Sequence, residues 1–142
     1  MRKTKYNVGD KSKRTYDGII FDSALEMKYY VEVVVPEFQA GIITSFELQK
    51  KYMLQEPYIR KLDSKKIMGI DYVADFYIVY NDNSECVVDT KGMADSVAKL
   101  KRKLFEYKYP DINYSWISYS KIDGGWIEYE ELQKHRRERK KK

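Results

Sequence analysis

The segment Ile70–Gly92, IDYVADFYIVYNDNSECVVDTKG, predicts the centre of the fold, because it contains two apolar strands joined by a polar turn. Alternating apolar residues predict the first strand at Ile70–Tyr80 and the second at Glu85–Lys91. The polar residues between them are types that favour tight turns. Each strand also carries an aspartate, Asp75 or Asp89, where a buried sheet would favour an apolar residue.

The length of the turn determines whether these two aspartates meet. A three-residue loop, Asn81–Asn83, places Asp75 directly opposite Asp89 and on the same face of the hairpin. A four-residue loop would place Asp75 opposite Thr90 instead, because a slip of one residue reverses the face. Lys91 follows Asp89 on the same face, about 7 Å further along the strand.

Two carboxylates and a lysine in this arrangement indicate a metal site. Two neighbouring carboxylates repel each other and raise one pKa, unless a cation removes the cost. Mg²⁺ suits such a site, since it binds through one or two carboxylates and keeps several waters. Lys91 would then orient or deprotonate a water for in-line attack on a phosphodiester. The alternative is that both aspartates end their strands in solvent and Lys91 neutralises one of them.

The spacing of these residues resembles a known signature. Ala74-Asp75, followed fourteen residues later by Asp89-Thr90-Lys91, is similar to the motif of the PD-(D/E)XK nuclease superfamily, with alanine in place of the usual proline. The chain especially resembles the small phage-encoded nucleases of that superfamily, which include endonuclease I-type and archaeal-type Holliday junction resolvases. The similarity extends over about residues 22–120. It implies an α/β fold with a restriction-endonuclease-like core, in which helices flank a mixed central sheet in the order αβββαβ.

The resemblance also implies the composition of the site. Glu26 on the first helix would complete a metal site with Asp75 and Asp89, which would hold Mg²⁺ with Mn²⁺ as a substitute. Lys91 would position the water nucleophile. Glu26 follows Ser23 by three residues, however, and this spacing is a capping box. Glu26 therefore either bonds back to the Ser23 amide or binds the metal, and the resemblance favours the metal.

Apolar periodicity predicts four further elements around the hairpin. They are a helix from about Ala24 to Val35, a strand at Ile42–Leu54, an amphipathic helix at Ala94–Tyr109 and a strand at Asn113–Ser120. Pro36 marks a break or a fresh first turn after the first helix. Gln49, an auxiliary candidate, faces either the predicted site or solvent. Helical spacing predicts that the second helix buries an apolar face formed by Val97, Leu100, Leu104 and Tyr107.

Charge is concentrated at the two ends of the chain. The net charge is +5, and it divides into +5 for residues 1–14, −6 for residues 15–133 and +6 for residues 134–142. We expect a flexible basic arm at 1–18, a nuclease-like domain at 19–133 and a basic tail at 134–142. Basic ends of this kind favour binding to a polyanion, with a solubilising tail or attraction to anionic lipid as alternatives. The candidate nucleic-acid contacts are Lys99, Arg102, Lys103, Arg136 and Arg137.

Composition excludes several other chemistries. The chain has one cysteine, Cys86, and one histidine, His135, so neither a His/Cys zinc site nor a Ser-His-Asp mechanism is expected. A Walker-type phosphate loop, a membrane-spanning apolar run and a secretory signal are also missing from the sequence. An unpaired cysteine fits the cytoplasm, which would be that of the host cell if the protein is phage-encoded.

These observations leave one leading hypothesis and two alternatives. We expect a Mg²⁺-dependent endodeoxyribonuclease, a hydrolase that cuts branched or four-way junction DNA in phage recombination or replication. It would act as a homodimer, without a membrane. The first alternative is a nucleic-acid-binding accessory protein without catalysis. The second is a structural protein whose tails bind only a partner protein.

Overall fold

The computed structural model describes residues 10–141, so the first nine residues of the predicted basic arm and the last residue of the predicted tail lie outside it. The helices are α1 (Ala24–Tyr29), α2 (Val35–Gln39), α3 (Ser96–Lys108) and α4 (Tyr129–Lys140), with a 3₁₀-helix at Lys11–Arg14 and a π-helix at Tyr30–Val34. The strands are β1 (Thr15–Tyr16), β2 (Ile19–Ile20), β3 (Ile43–Gln55), β4 (Tyr58–Ile59), β5 (Lys66–Ile67), β6 (Ile70–Tyr80), β7 (Glu85–Thr90), β8 (Asn113–Ser120) and β9 (Gly125–Glu128).

A mixed sheet of five strands forms the centre of the fold, in the order β3-β6-β7-β8-β9. Among the strands of residues 10–141, β7 and β8 are the one parallel pair, and α3 connects them, as a parallel pair requires. The remaining pairs in this sheet are antiparallel. The predicted α/β class with a mixed sheet flanked by helices is therefore confirmed, and β9 and α4 extend the predicted order αβββαβ.

The sheet buries a cluster of side chains on each face. Adjacent residues of β7 face opposite sides of the sheet, so Val88 packs in the first cluster and Val87 in the second. The first cluster joins the first helical segment to the sheet through Phe21, Tyr29, Tyr30, Val34, Ile43, Phe76, Ile78 and Val88. The second cluster joins α3 to the opposite face through Tyr52, Leu54, Tyr72, Ala74, Val87 and Phe105.

Strand β6 changes its buried face at Asp75. The alternating pattern predicts one buried face along the whole strand, but Ala74 packs in the second cluster and Phe76 in the first. Gln49 lies beside this point on β3 and has a positive φ of 57°. Strand β3 changes face at the same point, since Leu48 packs against the first cluster and Tyr52 in the second, and the positive φ of Gln49 is the backbone irregularity between them.

The first helical segment passes through a widened turn before Pro36. The Val35 N–H donates to the Tyr30 carbonyl five residues earlier, and Pro36 then lies in the first turn of α2. Proline has no N–H to donate, and its ring clashes with the carbonyl four residues before it. The wider turn accommodates both effects, so the predicted fresh first turn at Pro36 is confirmed.

The predicted apolar face of α3 is wrong for three of its four residues, whereas Leu104 packs against the second cluster as predicted. Val97 and Leu100 are each 58% exposed and Tyr107 is 90% exposed, whereas Phe105 is fully buried. Phe105 sets the orientation of the helix, because its ring packs 4.8–5.2 Å from four tyrosine rings, those of Tyr52, Tyr72, Tyr109 and Tyr114. These aromatic contacts outweigh the aliphatic stripe, which stays exposed to solvent.

Both ends of the described chain contain regular structure. The 3₁₀-helix and β1 occupy the second half of the predicted arm, β2 directly follows the arm, and α4 continues through the predicted tail to Lys140. The Asp123 carboxylate anchors α4 by accepting hydrogen bonds from Arg139 at 2.8 and 3.3 Å. Within residues 10–141, none of the helices has the length and apolarity needed to span a membrane.

Candidate metal centre

The β6–β7 hairpin has the predicted register. Phe76 pairs with Val88, which places Asp75 opposite Asp89. The loop has three residues, and its last residue, Asn83, adopts the left-handed backbone with φ of 69°. Such a residue typically ends a three-residue hairpin loop.

Side chains replace the backbone ladder at the two aspartates. The Asp75 N–H donates to Asp89 Oδ1 at 2.9 Å. In return, Asp75 Oδ2 accepts from the Thr90 N–H at 2.9 Å and from the Thr90 hydroxyl at 3.1 Å. The two carboxylates therefore hold β6 and β7 together at the point where the hydrogen bonds between their backbones end.

The two carboxylates nevertheless turn to different sides of the sheet. Asp75 contacts Glu26 of α1, on the side of the first cluster. Asp89 follows Val87 by two residues and therefore lies on the same side of the sheet, that of the second cluster. Its Oδ2 lies 3.5 Å from Lys91 Nζ. The predicted shared face is therefore wrong, although the register is right, because β6 changes its buried face at Asp75.

Glu26 has the contacts of a helix cap and also those of a site residue. Its N–H donates to Ser23 Oγ at 3.0 Å, as expected of a capping box. The residue as a whole is 2% exposed, and its carboxylate accepts hydrogen bonds from groups other than the Ser23 amide. Oε2 accepts from the Asp22 N–H at 3.0 Å, and Oε1 accepts from Gln49 Nε2 at 3.1 Å. The strained Gln49 thus faces the site and holds the Glu26 carboxylate in place.

Burial and like charge raise the pKa values of both aspartates. Loss of water, followed by the hydrogen bond and the charge of Glu26, raises the pKa of Asp75 well above its usual range. Burial, followed by the charge of Asp75, raises the pKa of Asp89, while Lys91 opposes this shift. A carboxylate held beside another one in a buried position either takes up a proton or faces a cation, so Asp75 is protonated against Glu26 or the two side chains form a cation site.

The Glu26–Asp75 pair fits a hard divalent cation. Both side chains offer carboxylate oxygens, and Mg²⁺ binds with as few as one or two carboxylates. The charge of the cation would replace the proton on Asp75. Asp89 lies outside this pair, because its Oδ1 accepts from the Asp75 N–H and its Oδ2 faces Lys91. Within residues 10–141, the side chains of Asp, Glu, His and Cys form no group of three that could hold an ion.

Aromatic residues of β8 hold the basic side of the site. Lys91 Nζ lies 5.3 Å from the centre of the Trp116 ring, and the Arg102 guanidinium lies 4.5 Å from the same ring. Trp116 Nε1 donates to Tyr114 Oη at 2.8 Å, and that hydroxyl lies 3.4 Å from Asp89 Oδ2. These roles were not predictable from the sequence, since they depend on the parallel pairing of Asp89 with Trp116.

The candidate nucleic-acid contacts differ in their exposure and in whether they already bind other side chains. Lys99 and Lys103 are exposed on α3, and Arg136 and Arg137 are exposed on α4. Arg102 is instead engaged, since it stacks on Trp116 and forms ion pairs with two acidic residues, Glu106 and Glu130. The four exposed residues remain the surface candidates, while Arg102 supports the aromatic residues beside Lys91.

A family model described as "Protein of unknown function (DUF1064)" matches residues 3–123. The match includes the central strands from β3 to β8 and every residue of the candidate metal centre, and it ends before α4. No curated protein matches the chain.

Proposed function

The chain belongs to the DUF1064 family, and we propose that it is a divalent-metal-dependent endodeoxyribonuclease. One observation supports this proposal most strongly. The touching carboxylates of Glu26 and Asp75 lie next to an ion pair between Asp89 and Lys91, where the central strands part. Buried like charges in contact are costly to a fold, so they indicate a site built for a cation.

Glu26 and Asp75 would hold Mg²⁺ or Mn²⁺, and Asp89 would hold the Asp75 backbone and Lys91 in place beside them. The metal, when bound, supplies Lewis-acid polarisation of the scissile phosphate and lowers the pKa of a water. Gln49 fixes one oxygen of Glu26 and leaves the carboxylate oriented towards Asp75.

Lys91 is the group of this chain best placed to act on the nucleophile. Its side chain is 22% exposed, so water and a phosphate can reach the ammonium. Asp89 and the ring of Trp116 restrict where that ammonium can lie. We assign Lys91 the positioning of the attacking water and the stabilisation of charge that develops on the phosphate.

The fold supports membership of the PD-(D/E)XK superfamily, which remains a proposal. The order αβββαβ agrees with the core that the resemblance implies. The motif residues Ala74-Asp75 and Asp89-Thr90-Lys91 lie on the two central strands, at directly opposed positions. Ala74, which takes the place of the motif's usual proline, is fully buried beside the site.

The substrate proposal follows from charge and from the resemblance together. Lys99, Lys103, Arg136 and Arg137 would contact DNA phosphates, which position a duplex without reading its sequence. Branched or four-way junction DNA, in phage recombination or replication, is the proposed target. Cutting two opposed strands needs two sites, so we propose a homodimer acting in the cytoplasm.

A second candidate function has its own support. Every carboxylate of the site already accepts hydrogen bonds from the protein, which would suit a structural role. The protein would then be a nucleic-acid-binding accessory protein without catalysis. Titration with Mn²⁺ separates the two functions, since only the nuclease has a metal site that Asp75→Asn removes.

Cleavage of matched DNA substrates tests the proposal. Linear, flapped and four-way DNA of one sequence are incubated with the protein and Mg²⁺, with and without chelator. We expect cutting only with metal, and we expect Asp89→Asn and Lys91→Ala to lower its rate at least about 100-fold while DNA binding persists. Lys121→Ala, which removes an exposed lysine in the turn before β9, is the control. Full activity of Lys91→Ala would refute the role of that residue.

A further inference from the structure

The β4–β5 hairpin is a small structure of its own beside the central sheet. Among the described strands, Tyr58–Ile59 pairs with Lys66–Ile67 alone, as a separate two-stranded sheet. Isolated hairpins are marginally stable, so local contacts must hold this one. At its base, a Cβ on Gly69 would lie 2.6 Å from the Gln55 carbonyl oxygen, so the backbones meet where only glycine fits.

The turn of this hairpin is held rigid by Asp63. Its carboxylate accepts from Arg60 Nε at 2.9 Å and from Arg60 Nη2 at 2.5 Å, and also from the Lys65 N–H at 3.3 Å. The Arg60 N–H donates to the Lys65 carbonyl at 2.8 Å. These bonds leave Leu62 at the tip, 89% exposed.

Apolar and basic side chains share the surface of the hairpin. Besides Leu62, the exposed apolar residues are Tyr58 at 48%, Ile59 at 60% and Met68 at 74%. Residues 58–67 carry four Lys or Arg and one Asp, for a net charge of +3. A basic surface around an apolar tip complements a polyanion whose charged groups lie on the outside and whose apolar groups lie between them.

We propose that this hairpin binds duplex DNA and inserts Leu62 between base pairs. Lys61, Lys65 and Lys66 would contact the phosphates on either side of the opened step. Proteins that deform DNA use apolar wedges of this kind, which partly unstack a base step while cations hold the backbone. The proposal deepens the proposed function and rests on it for the choice of DNA as the partner.

The connection to the sheet limits how far from the metal centre this contact can lie. Thirteen residues separate Leu62 from Asp75 along the chain, so the two lie at most about 45 Å apart. One turn of duplex DNA is about 34 Å long. One duplex can therefore reach both the hairpin and the metal centre, and unstacking would favour DNA that is already open, such as a junction.

Fluorescence of 2-aminopurine tests the insertion directly. The base is placed in turn along a linear duplex and at the centre of a four-way junction, and full-length protein is added in chelator. We expect bound protein to raise the emission at one step, and Leu62→Ala to abolish the rise and to weaken binding about tenfold. Ile122→Ala is the matched control, since Ile122 is also apolar, 83% exposed and in a turn.

Salt dependence tests the cationic part of the proposal. Replacing Lys61, Lys65 and Lys66 by alanine should reduce the slope of log affinity against log salt by about 3. An unchanged slope would overturn the assigned phosphate contacts.

Three results would overturn the insertion itself. The first is DNA binding without any rise in emission. The second is Leu62-dependent binding to vesicles that contain phosphatidylserine, with DNA binding unaffected. The third is Leu62-dependent self-association of the protein without DNA. Cleavage without unstacking would reject the wedge and leave the nuclease, whereas unstacking without cleavage would reject the nuclease and leave the wedge.

Discussion

Substitution of Asp75 by asparagine should stabilise the metal-free protein. Asparagine has the shape of a protonated aspartate, and its Oδ1 can still accept from the Thr90 N–H. Its amide can also donate to Glu26, which now touches a carboxylate. The variant therefore keeps the local hydrogen bonds and removes one of two neighbouring negative charges.

The size of the effect follows from the repulsion between Glu26 and Asp75. Two unit charges about 4 Å apart interact by about 4 kcal/mol at an effective dielectric constant of 20. Partial protonation of Asp75 already relieves part of this cost, so we expect a net gain of about 2 kcal/mol at pH 8. For a chain of this size, that gain corresponds to a rise of about 6 °C in Tm.

The sign of the pH dependence follows from the raised pKa of Asp75. The folded protein binds this proton more tightly than the unfolded chain does. Wild-type stability in chelator should therefore fall as the pH rises from about 4, the unfolded pKa, through the raised pKa of the folded state. Asp75→Asn should remove most of this loss, so the two stability curves converge at acid pH and separate above it.

Scanning calorimetry in chelator measures this difference, with Asp71→Asn as the control at an exposed aspartate of the same strand. Mg²⁺ at 100 times its Kd should then stabilise the wild type by about 2.7 kcal/mol and leave Asp75→Asn unchanged. A lower Tm for Asp75→Asn in chelator, or equal stabilisation of both proteins by Mg²⁺, would refute this account of the carboxylate pair.

Three further predictions concern residues around the site. Gln49→Ala should lower the cleavage rate about tenfold through loss of the bond to Glu26, and Gln49→Gly should lower it as much while being the more stable variant, because glycine accepts a positive φ. Kinetics and thermal melts compare the two, and an unchanged rate in both would contradict a positioning role. Replacing Lys99 and Lys103 by alanine should reduce the salt slope of DNA binding by about 2, and an unchanged slope in filter binding would remove both from the interface. Leu100→Lys should shift the proposed homodimer to monomer in sedimentation velocity by charging the exposed apolar stripe of α3, and an unshifted dimer would locate the interface elsewhere.

The order of elements and the hairpin register were predictable because they depend on local sequence. Apolar alternation located β6, and the turn-forming residues after Tyr80 limited the loop to three or four residues. Once the three-residue loop is formed, the position of Asp75 opposite Asp89 follows from counting. The placement of Glu26 near the site came from the resemblance.

The faces of the elements were not predictable, because tertiary contacts decide them. The change of face at Asp75 depends on Gln49, a residue of another strand whose positive φ has no sequence signal. The orientation of α3 depends on four tyrosine rings around Phe105 that come from distant parts of the chain. The aliphatic stripe with Leu100 had the correct helical spacing and faces solvent, because periodicity identifies a face but not what covers it.

Crystals soaked in Mn²⁺ test the metal centre most directly, through the anomalous scattering of the metal. The account predicts a peak bonded to carboxylate oxygens of both Glu26 and Asp75, and loss of that peak in Asp75→Asn. Absence of density between these two side chains, in crystals where Mn²⁺ binds elsewhere, would contradict it.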